Sequence, residues 1–250
     1  MKKGKKLHGN KETVVKVCNW LSLPLQALGC CILYLVIEAF SRHSLASAWS
    51  YMVESPWVFL YNAFLIFTTF MVVYLFRRRV LVRLVMSCFW LLLGIINGVI
   101  LANRVTPFTG PDLRNLSDGA KVVTKYLSKG TMILVAAALV ALLAFFVWVW
   151  IKGPKFQGKI RWYLNVPLIA LVIVLFTGAT NLALAKRVLS SYFVNIAFAY
   201  QDYGYPYCLA VTLFDTGISE PNGYSEQLVN QIETSEGEQK EDDTVKPNII

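Results

Sequence analysis

FRRRVLVRLVMSCFWLLLGIINGVILA, residues 76–102, combines the two features that decide the fold. Its first eight residues carry four arginines, and residues 84–102 then contain no charged side chain. A hydrocarbon core about 30 Å thick is crossed by roughly 20 apolar residues in an α-helix. Residues 84–102 are therefore predicted to span a membrane, and the arginines before them mark the side on which this span begins.

The composition of the whole chain also indicates a membrane protein. Of its 250 residues 56% are hydrophobic and 16% are charged, and the mean hydropathy is +0.52. Soluble domains carry about 25% charged residues. The net charge of +9 comes from short basic clusters beside apolar runs, which lipid headgroups and insertion topology explain better than nucleic acid does. No nucleic-acid partner is expected.

Four further stretches are long and apolar enough to cross a membrane, so the sequence predicts an all-α membrane protein with five transmembrane helices. The first follows a lysine-rich start, but it is longer than the apolar part of a cleavable signal and no small-residue cleavage site follows it. It is expected to stay in the membrane. The five predicted spans are residues 18–40, 57–76, 84–102, 131–151 and 162–182.

Lysine and arginine are concentrated on one side of these spans. Residues 1–17 and the turns before residues 84 and 162 are rich in them, whereas the loops on the other side carry fewer per residue. The positive-inside rule makes the basic side cytoplasmic. We therefore predict a basic cytoplasmic N-terminus (1–17), a five-span transmembrane domain (18–182) and an extracellular juxtamembrane segment (183–232), with the C-terminus outside.

The predicted extracellular segment changes in character along its length. Five tyrosines between residues 192 and 207 are expected to place their rings at the interface between water and lipid. In EPNGYSEQLVNQIE, residues 220–233, a turn precedes Ser225 as a helix cap, so a short helix is predicted there. Residues 233–245 are acidic and nearly free of apolar side chains, which predicts a solvated linker.

KPNII, residues 246–250, resembles the first strand of the alkaline phosphatase and sulfatase superfamily, where this strand leads to a metal-binding carboxylate. Five spans with an inside N-terminus, followed by such a strand, resemble the lipoteichoic acid synthase family of Gram-positive bacteria. The resemblance covers nearly the whole chain, and residues 246–250 are expected to begin a truncated sulfatase-like domain. Three further stretches look like that family: IEAFSRHSL (37–45), NRVTPFTGPDLRNL (103–116), and YGYPY (203–207) followed by ISEPNGYSEQLVNQIE (218–233).

The resemblance implies a phosphoglycerol transferase that moves glycerol phosphate from phosphatidylglycerol onto a growing polymer in cell wall biogenesis. It also implies a threonine nucleophile and a divalent metal, usually manganese, in the catalytic domain, so neither a catalytic residue nor a cofactor is assigned in residues 1–250. This chain alone is expected to be inactive and to be the anchor and platform of the enzyme at the bacterial plasma membrane. Its expected partners are membrane lipids, above all phosphatidylglycerol, and cell-envelope assembly proteins.

Five charged residues on the predicted outer side are candidates for contact with lipid headgroups. Glu38 lies near the outer end of the first span, close to Arg42, and an ionisable residue inside a span is functional by default. Pairing with Arg42 or reaching water is the favoured structural alternative. Arg104, Asp112 and Arg114 lie in a loop with proline and glycine, where arginine forks suit a lipid phosphate. Ion pairing within the loop is an equally weighted alternative.

Gly94, Asn97 and Gly98 place two small residues and one amide on one face of the third span. Such a face lets two helices approach closely, and asparagine can hydrogen-bond across the contact. These residues are predicted to pack helices rather than to bind a ligand.

No metal site is predicted in this chain. His8 and His43 fall on opposite sides of the predicted membrane, and the five cysteines form no C-x-x-C pair and imply no disulfide framework. Three alternatives to the enzyme anchor stay open: the membrane half of a phosphoethanolamine transferase, a non-enzymatic sensor or assembly partner, and a small transporter. A transporter would need more polar groups deep in its spans, where Asn97 is the main one.

Overall fold

The structure is a computed structural model that describes residues 22–115, 129–154, 156 and 160–214. Across these ranges the chain is helical and contains no strand, in agreement with the all-α prediction. The predicted N-terminal segment 1–17, the helix capped by Ser225, the linker 233–245 and the strand 246–250 lie outside the described residues, as does the rest of the juxtamembrane segment after Phe214.

The described helices include both membrane-length helices and short helices that follow them. We number the α-helices in chain order and refer to the single 3-10 helix by its residues. They are α1 (Ser22–Ser41), α2 (Leu45–Glu54), α3 (Pro56–Phe70) with the 3-10 helix Met71–Leu75 after it, α4 (Arg79–Leu101), α5 (Gly110–Arg114), α6 (Lys129–Lys152), α7 (Trp162–Ala185), α8 (Ile196–Tyr203) and α9 (Tyr205–Phe214).

Within the described part of the chain, four helical segments are long and apolar enough to cross a membrane. They are α1, α3 together with its 3-10 helix, α4 and α7, which is compatible with a membrane-embedded multi-pass protein. The predicted fourth span, 131–151, falls in α6, whose Val140–Lys152 part is a shorter apolar helix. Five spans and the orientation of the chain stay predictions.

The arginines before the third predicted span are part of the helix or pack beside it. α4 begins at Arg79 rather than at residue 84, because arginine is a good helix former and its long stem can lie along apolar neighbours. The guanidinium carbon of Arg79 lies 3.7 Å from the ring centre of Phe156, and that of Arg78 lies 4.6 Å from the ring of Trp150. We call this side of the bundle, where α1, α4 and α7 begin, the arginine end, and the opposite side the loop end.

α1 packs against both α3 and α4, and these three helices form the centre of the bundle. The contact between α1 and α4 is close because α4 presents two glycines there. A methyl group on Gly94 would lie 3.1 Å from the side chain of Ile37, and one on Gly98 would lie 2.7 Å from the carbonyl oxygen of Phe40. Any larger side chain at Gly98 would push the two helices apart.

α8 and α9 carry tyrosines into the core rather than along the membrane surface. Tyr200, Tyr205 and Tyr207 are buried, whereas Tyr192 is exposed. The prediction of interfacial rings is therefore wrong for these three tyrosines. The spacing of aromatic residues indicated only that the segment is amphipathic, and the chain reversal at Gly204 directs its buried rings toward the bundle.

Candidate functional site

The short helices at the loop end cover the central helices of the bundle. α2 packs against α1 and α3, α9 packs against α3, α1 and α5, and α8 packs against α9. We call α2, α5, α8 and α9 the platform. Glu38, Arg42, Arg104, Asp112 and Arg114, the five candidate residues of the sequence analysis, all lie at this end of the bundle, within the platform or beside it.

Three buried polar side chains, one from each central helix, form hydrogen bonds with backbone groups at the loop end. Each side chain is 0% exposed and accepts a hydrogen bond from one backbone N–H of the segments that cover the bundle. We call these bonds the three clamps. They join Glu38 Oε1 to the Tyr205 amide at 3.0 Å, Asn62 Oδ1 to the Tyr207 amide at 2.8 Å, and Asn97 Oδ1 to the Phe108 amide at 2.8 Å.

The clamp from Asn62 is missing from the sequence predictions, in which Asn97 is the main polar residue deep in a span. Asn62 is buried to the same degree, and its side-chain amide also donates to the carbonyl oxygens of Val58 at 2.9 Å and Tyr203 at 2.8 Å. It therefore binds the backbone on both sides of Gly204. The sequence contains one signal from which this clamp could have been predicted, namely an asparagine within the predicted span 57–76.

The clamp from Asn97 also connects α4 to α1. Its side-chain amide donates to the hydroxyl of Ser41 at 2.9 Å, and that hydroxyl donates to the carbonyl oxygen of Ile37 at 3.1 Å. Asn97 thus lies in the close contact between α1 and α4, beside the Gly98 position described above. The same side chain contributes to helix packing and holds the loop that follows α4.

Glu38 and Arg42 form an ion pair one helical turn apart. Nε of Arg42 donates to Oε2 of Glu38 at 3.0 Å, and Nη2 donates to the carbonyl oxygen of Gln201 at 2.7 Å. The guanidinium carbon also lies 4.0 Å from the ring centre of Tyr51, a distance typical of a cation–π contact. Both oxygens of Glu38 are therefore engaged, one by Arg42 and one by the Tyr205 amide.

Gly204 makes the sharp turn between α8 and α9, with φ of +81° and ψ of 154°. This backbone conformation is open essentially to glycine alone. Space excludes a side chain as well, because a methyl group on Gly204 would overlap the Tyr34 hydroxyl and lie 2.8 Å from Nδ2 of Asn62. The turn passes directly over the side chains that hold it.

The hydroxyls of Tyr34, Tyr51 and Tyr205 are buried, and those of Tyr34 and Tyr51 interact with each other. Burial, reinforced by the negative charge of Glu38, raises the pKa of Tyr51 above its usual value. Burial also raises the pKa of Tyr205. The phenols of Tyr51 and Tyr205 therefore stay protonated at neutral pH.

Arg104 and Asp112 close the loop between α4 and α5. Both terminal nitrogens of Arg104 contact the Asp112 carboxylate, with Nη1 at 3.1 Å from Oδ1, and the guanidinium also donates to the carbonyl oxygens of Thr106 and Pro107 at 2.9 and 2.8 Å. Burial alone would raise the pKa of Asp112, but hydrogen bonds from Arg104 and Thr109 hold that pKa below its usual value. The carboxylate therefore stays charged at neutral pH.

α5 in turn holds the last turn of α9. The backbone N–H of Gly110 donates to the Thr212 hydroxyl at 3.0 Å, and Nη2 of Arg114 donates to the carbonyl oxygen of Leu213 at 2.8 Å. A methyl group on Gly110 would overlap the backbone of Thr212, so the two helices touch at this point. The position of Phe214, the last residue of α9, is thus fixed by the contacts of Gly110 and of Arg114.

The structure brings the candidate residues together in pairs: Glu38 with Arg42, and Arg104 with Asp112. Arg114 ends α5, and its side chain donates to the backbone of α9 at Leu213. The Arg104 and Asp112 side chains are 41% and 28% exposed, so both reach solvent or lipid while holding the loop. Their contact with lipid headgroups stays a prediction, as does that of Glu38, Arg42 and Arg114.

The metal implied by the family resemblance has no ligand set in the part of the chain described here, where no three His, Cys, Asp or Glu side chains group together. The resemblance implies this metal for the catalytic domain, so no chemical step is derived for the residues that the structure describes. The polar side chains at the loop end bind the protein backbone instead. Buried side-chain oxygens accept from backbone N–H groups, and arginine guanidinium groups donate to backbone carbonyl oxygens.

In comparisons with known proteins, no family model, no curated protein and no solved structure matches this chain.

Proposed function

We propose that this chain is the membrane anchor and platform of a glycerol phosphate transferase that resembles the lipoteichoic acid synthases. In this proposal five spans cross the plasma membrane of a Gram-positive bacterium, the arginine end is cytoplasmic, and the loop end faces outward. The platform holds a catalytic domain over the leaflet that contains phosphatidylglycerol. The resemblance of residues 37–45, 103–116 and 218–233 to that family supplies the substrate class.

The observation that carries the anchoring role is the set of three clamps. A simple tether would need only spans and a linker, because a flexible connection already raises the local concentration of an attached domain. Here a buried acceptor from each of α1, α3 and α4 fixes the covering segments, and an unpaired buried N–H costs about 1–3 kcal/mol. Segments held in this way give the chain that leads to an attached domain a fixed starting point at the loop end.

Exposed aromatic side chains at the loop end support a position at a membrane surface. Trp and Tyr prefer the boundary between headgroups and hydrocarbon. The loop end exposes large rings on α2, at the start of α3, and on both sides of α8. These rings belong to Trp49, Trp57, Tyr192, Phe198 and Phe214.

We expect a cysteine at Val194 to be labelled on intact cells by a membrane-impermeant thiol reagent, and a cysteine at Lys152 to stay unlabelled. Val194 is 91% exposed at the loop end, and Lys152 is exposed at the arginine end. The physical reason is the positive-inside rule applied to the arginine clusters. Labelling after permeabilisation should become equal at both positions, and the unsubstituted chain gives the background. Labelling of Lys152→Cys but not Val194→Cys on intact cells would reverse the proposed orientation.

The proposed activity is tested with the full product of the gene, including whatever follows Ile250, in vesicles of phosphatidylglycerol with Mn²⁺. We expect release of diacylglycerol that depends on the metal. Residues 1–250 alone should release none, because the resemblance implies that the threonine nucleophile and the metal ligands belong to the catalytic domain. Metal-dependent turnover by residues 1–250 would place the chemistry in this chain instead.

Vesicles of phosphatidylethanolamine distinguish the nearest enzyme alternative. Diacylglycerol released from these vesicles but not from phosphatidylglycerol would indicate a phosphoethanolamine transferase. Absence of turnover with either lipid, at normal abundance and membrane insertion, would favour a sensor or assembly partner.

A further inference from the structure

A cavity of about 340 Å³ lies between α1, α3 and α4 in the half of the bundle next to the arginine end. Most of its lining comes from one face of α1, with Phe70 of α3 and Arg83 and Ser87 of α4 closing the other sides. Its volume falls at the lower end of ligand-binding pockets, which measure roughly 300–1,000 Å³. It lies at the opposite end of the bundle from the platform, and the inference drawn from it does not rest on the proposed function.

The cavity runs along the depth of one membrane leaflet. On α1 its lining extends from Ser22 to Leu33, a distance of about 16 Å at the rise of an α-helix, whereas the whole hydrocarbon core measures about 30 Å. Leu25 and Gly29 in this lining are exposed. The cavity therefore opens sideways, onto the surface of a membrane-spanning bundle that faces lipid.

The side chains of Gln26 and Arg83 bring hydrogen-bond donors to the cavity that have no acceptor among the described residues. Gln26 is 7% exposed, and its Nε2 has no partner among the described residues. Its Oε1 accepts from Nε of Arg83 at 3.2 Å, while the terminal nitrogens of Arg83 make no hydrogen bond within the described ranges. Among the described residues no acidic side chain lines the cavity. A buried donor left unpaired is destabilising, so an anionic acceptor would complete this site.

We propose that this cavity binds one anionic glycerophospholipid from the leaflet at the arginine end. The lipid phosphate accepts hydrogen bonds from the Arg83 guanidinium and the Gln26 amide, because arginine and phosphate form charge-assisted bonds. One acyl chain lies along Gly29, Leu33 and Phe70. The preceding segment of the chain, residues 1–21, carries six lysines and one glutamate, so its charge has the same sign as Arg83 and does not complement the cavity.

Gly29 allows the cavity to be filled without disturbing its walls. A methyl group built on Gly29 meets no atom within 4 Å, and the same is true of Gly178 in α7, which does not line the cavity. Gly29→Phe therefore occupies the space assigned to the acyl chain, and Gly178→Phe is the matched control for adding the same ring to a spanning helix.

The test measures binding of dioleoyl phosphatidic acid to the purified full chain in detergent by native mass spectrometry, with dioleoyl phosphatidylcholine as the zwitterionic reference. We expect the unsubstituted chain and Gly178→Phe to bind one phosphatidic acid more tightly than phosphatidylcholine. Gly29→Phe should lose this binding. Arg83→Gln should weaken it about tenfold, the change expected when one charge-assisted contact is removed.

Four results would overturn the proposal. Equal affinity for the two lipids, or unchanged phosphatidic acid binding in both Gly29→Phe and Arg83→Gln, would show that the cavity does not select an anionic lipid. Equally tight binding of glycerol 3-phosphate, unaffected by Gly29→Phe, would assign a phosphate site without an acyl chain. A loss of thermal stability in Gly29→Phe but not in Gly178→Phe, with no lipid bound to the unsubstituted chain, would assign the cavity to residues 1–21.

Discussion

Replacing Gly204 with alanine is expected to raise the rate at which Cys208 reacts with a maleimide by about tenfold or more. The backbone of Gly204 has φ of +81° and ψ of 154°, a conformation that costs a residue with a side chain about 1–3 kcal/mol. The added methyl group would also overlap the Tyr34 hydroxyl. Both effects favour opening of the turn between α8 and α9, and opening exposes the residues behind it.

Cys208 reports this opening because it is 1% exposed in the closed platform. Burial, together with the charge of Glu38, raises the pKa of its thiol, so the reactive thiolate is scarce until the segment opens. Labelling is followed by mass spectrometry of the peptide that contains Cys208, which separates it from the cysteines in the spans.

Gly178→Ala is the matched control for this experiment. Gly178 lies inside α7 with open space around its missing side chain, and alanine is a better residue than glycine within a helix. We expect the same labelling rate as in the unsubstituted chain. If Gly204→Ala also labels at the unsubstituted rate, the turn is not held closed as described and the clamps from Glu38 and Asn62 do not fix α9.

Replacing Glu38 with glutamine is expected to destabilise the folded chain by about 3 kcal/mol, at the lower end of the range for breaking a buried ion pair. The lower end applies because the Arg42 side chain is 17% exposed, whereas that of Glu38 is 0% exposed. Glutamine keeps an oxygen that can accept from the Tyr205 amide. Its amide nitrogen, however, faces the Arg42 guanidinium, so two donors meet where a carboxylate stood. Chemical unfolding of the purified protein in detergent, followed by tryptophan fluorescence, measures the change.

Two further variants separate loss of the pair from loss of a surface charge. Glu54→Gln removes a carboxylate at the exposed end of α2 at the same end of the bundle and should change the free energy of unfolding little, since isolated surface charges contribute little. The double variant Glu38→Gln/Arg42→Gln leaves no uncompensated buried charge and should be more stable than Glu38→Gln alone. A single variant as stable as the unsubstituted chain would show that the ion pair between Glu38 and Arg42 is not needed to stabilise the fold.

The candidate residues illustrate what could be predicted without coordinates. The proximity of Glu38 and Arg42 follows from their spacing of four residues on one helix, which places side chains on the same face, and the two do pair. Arg104 and Asp112 are separated by an irregular loop, so the sequence predicts either an ion pair between them or contact with lipid headgroups. The turn at Pro107 and the N-terminus of α5 bring them together, and residue spacing in a loop does not fix such a geometry.

The sequence by itself predicted several apolar segments of membrane-spanning length and their helical form, and the described residues contain four such helices. An apolar segment that crosses the hydrocarbon core must satisfy its backbone N–H and C=O groups internally, and an α-helix does this within the segment itself. The rule applies to each segment separately. The helix bounds follow the predicted spans to within a few residues at most ends, as at Trp162–Ala185 for the prediction 162–182.

Only the tertiary structure decided how the loop end is closed. Asn62 and Gly204 are 142 residues apart in the numbering of the chain, yet the Asn62 side chain binds the backbone on both sides of that glycine. A buried polar group is stable when acceptor and donor meet within hydrogen-bond distance, and that meeting depends on how α3, α8 and α9 pack in three dimensions. Hydropathy along the chain shows which residues leave water, whereas the packing of distant helices decides which buried donors and acceptors become partners.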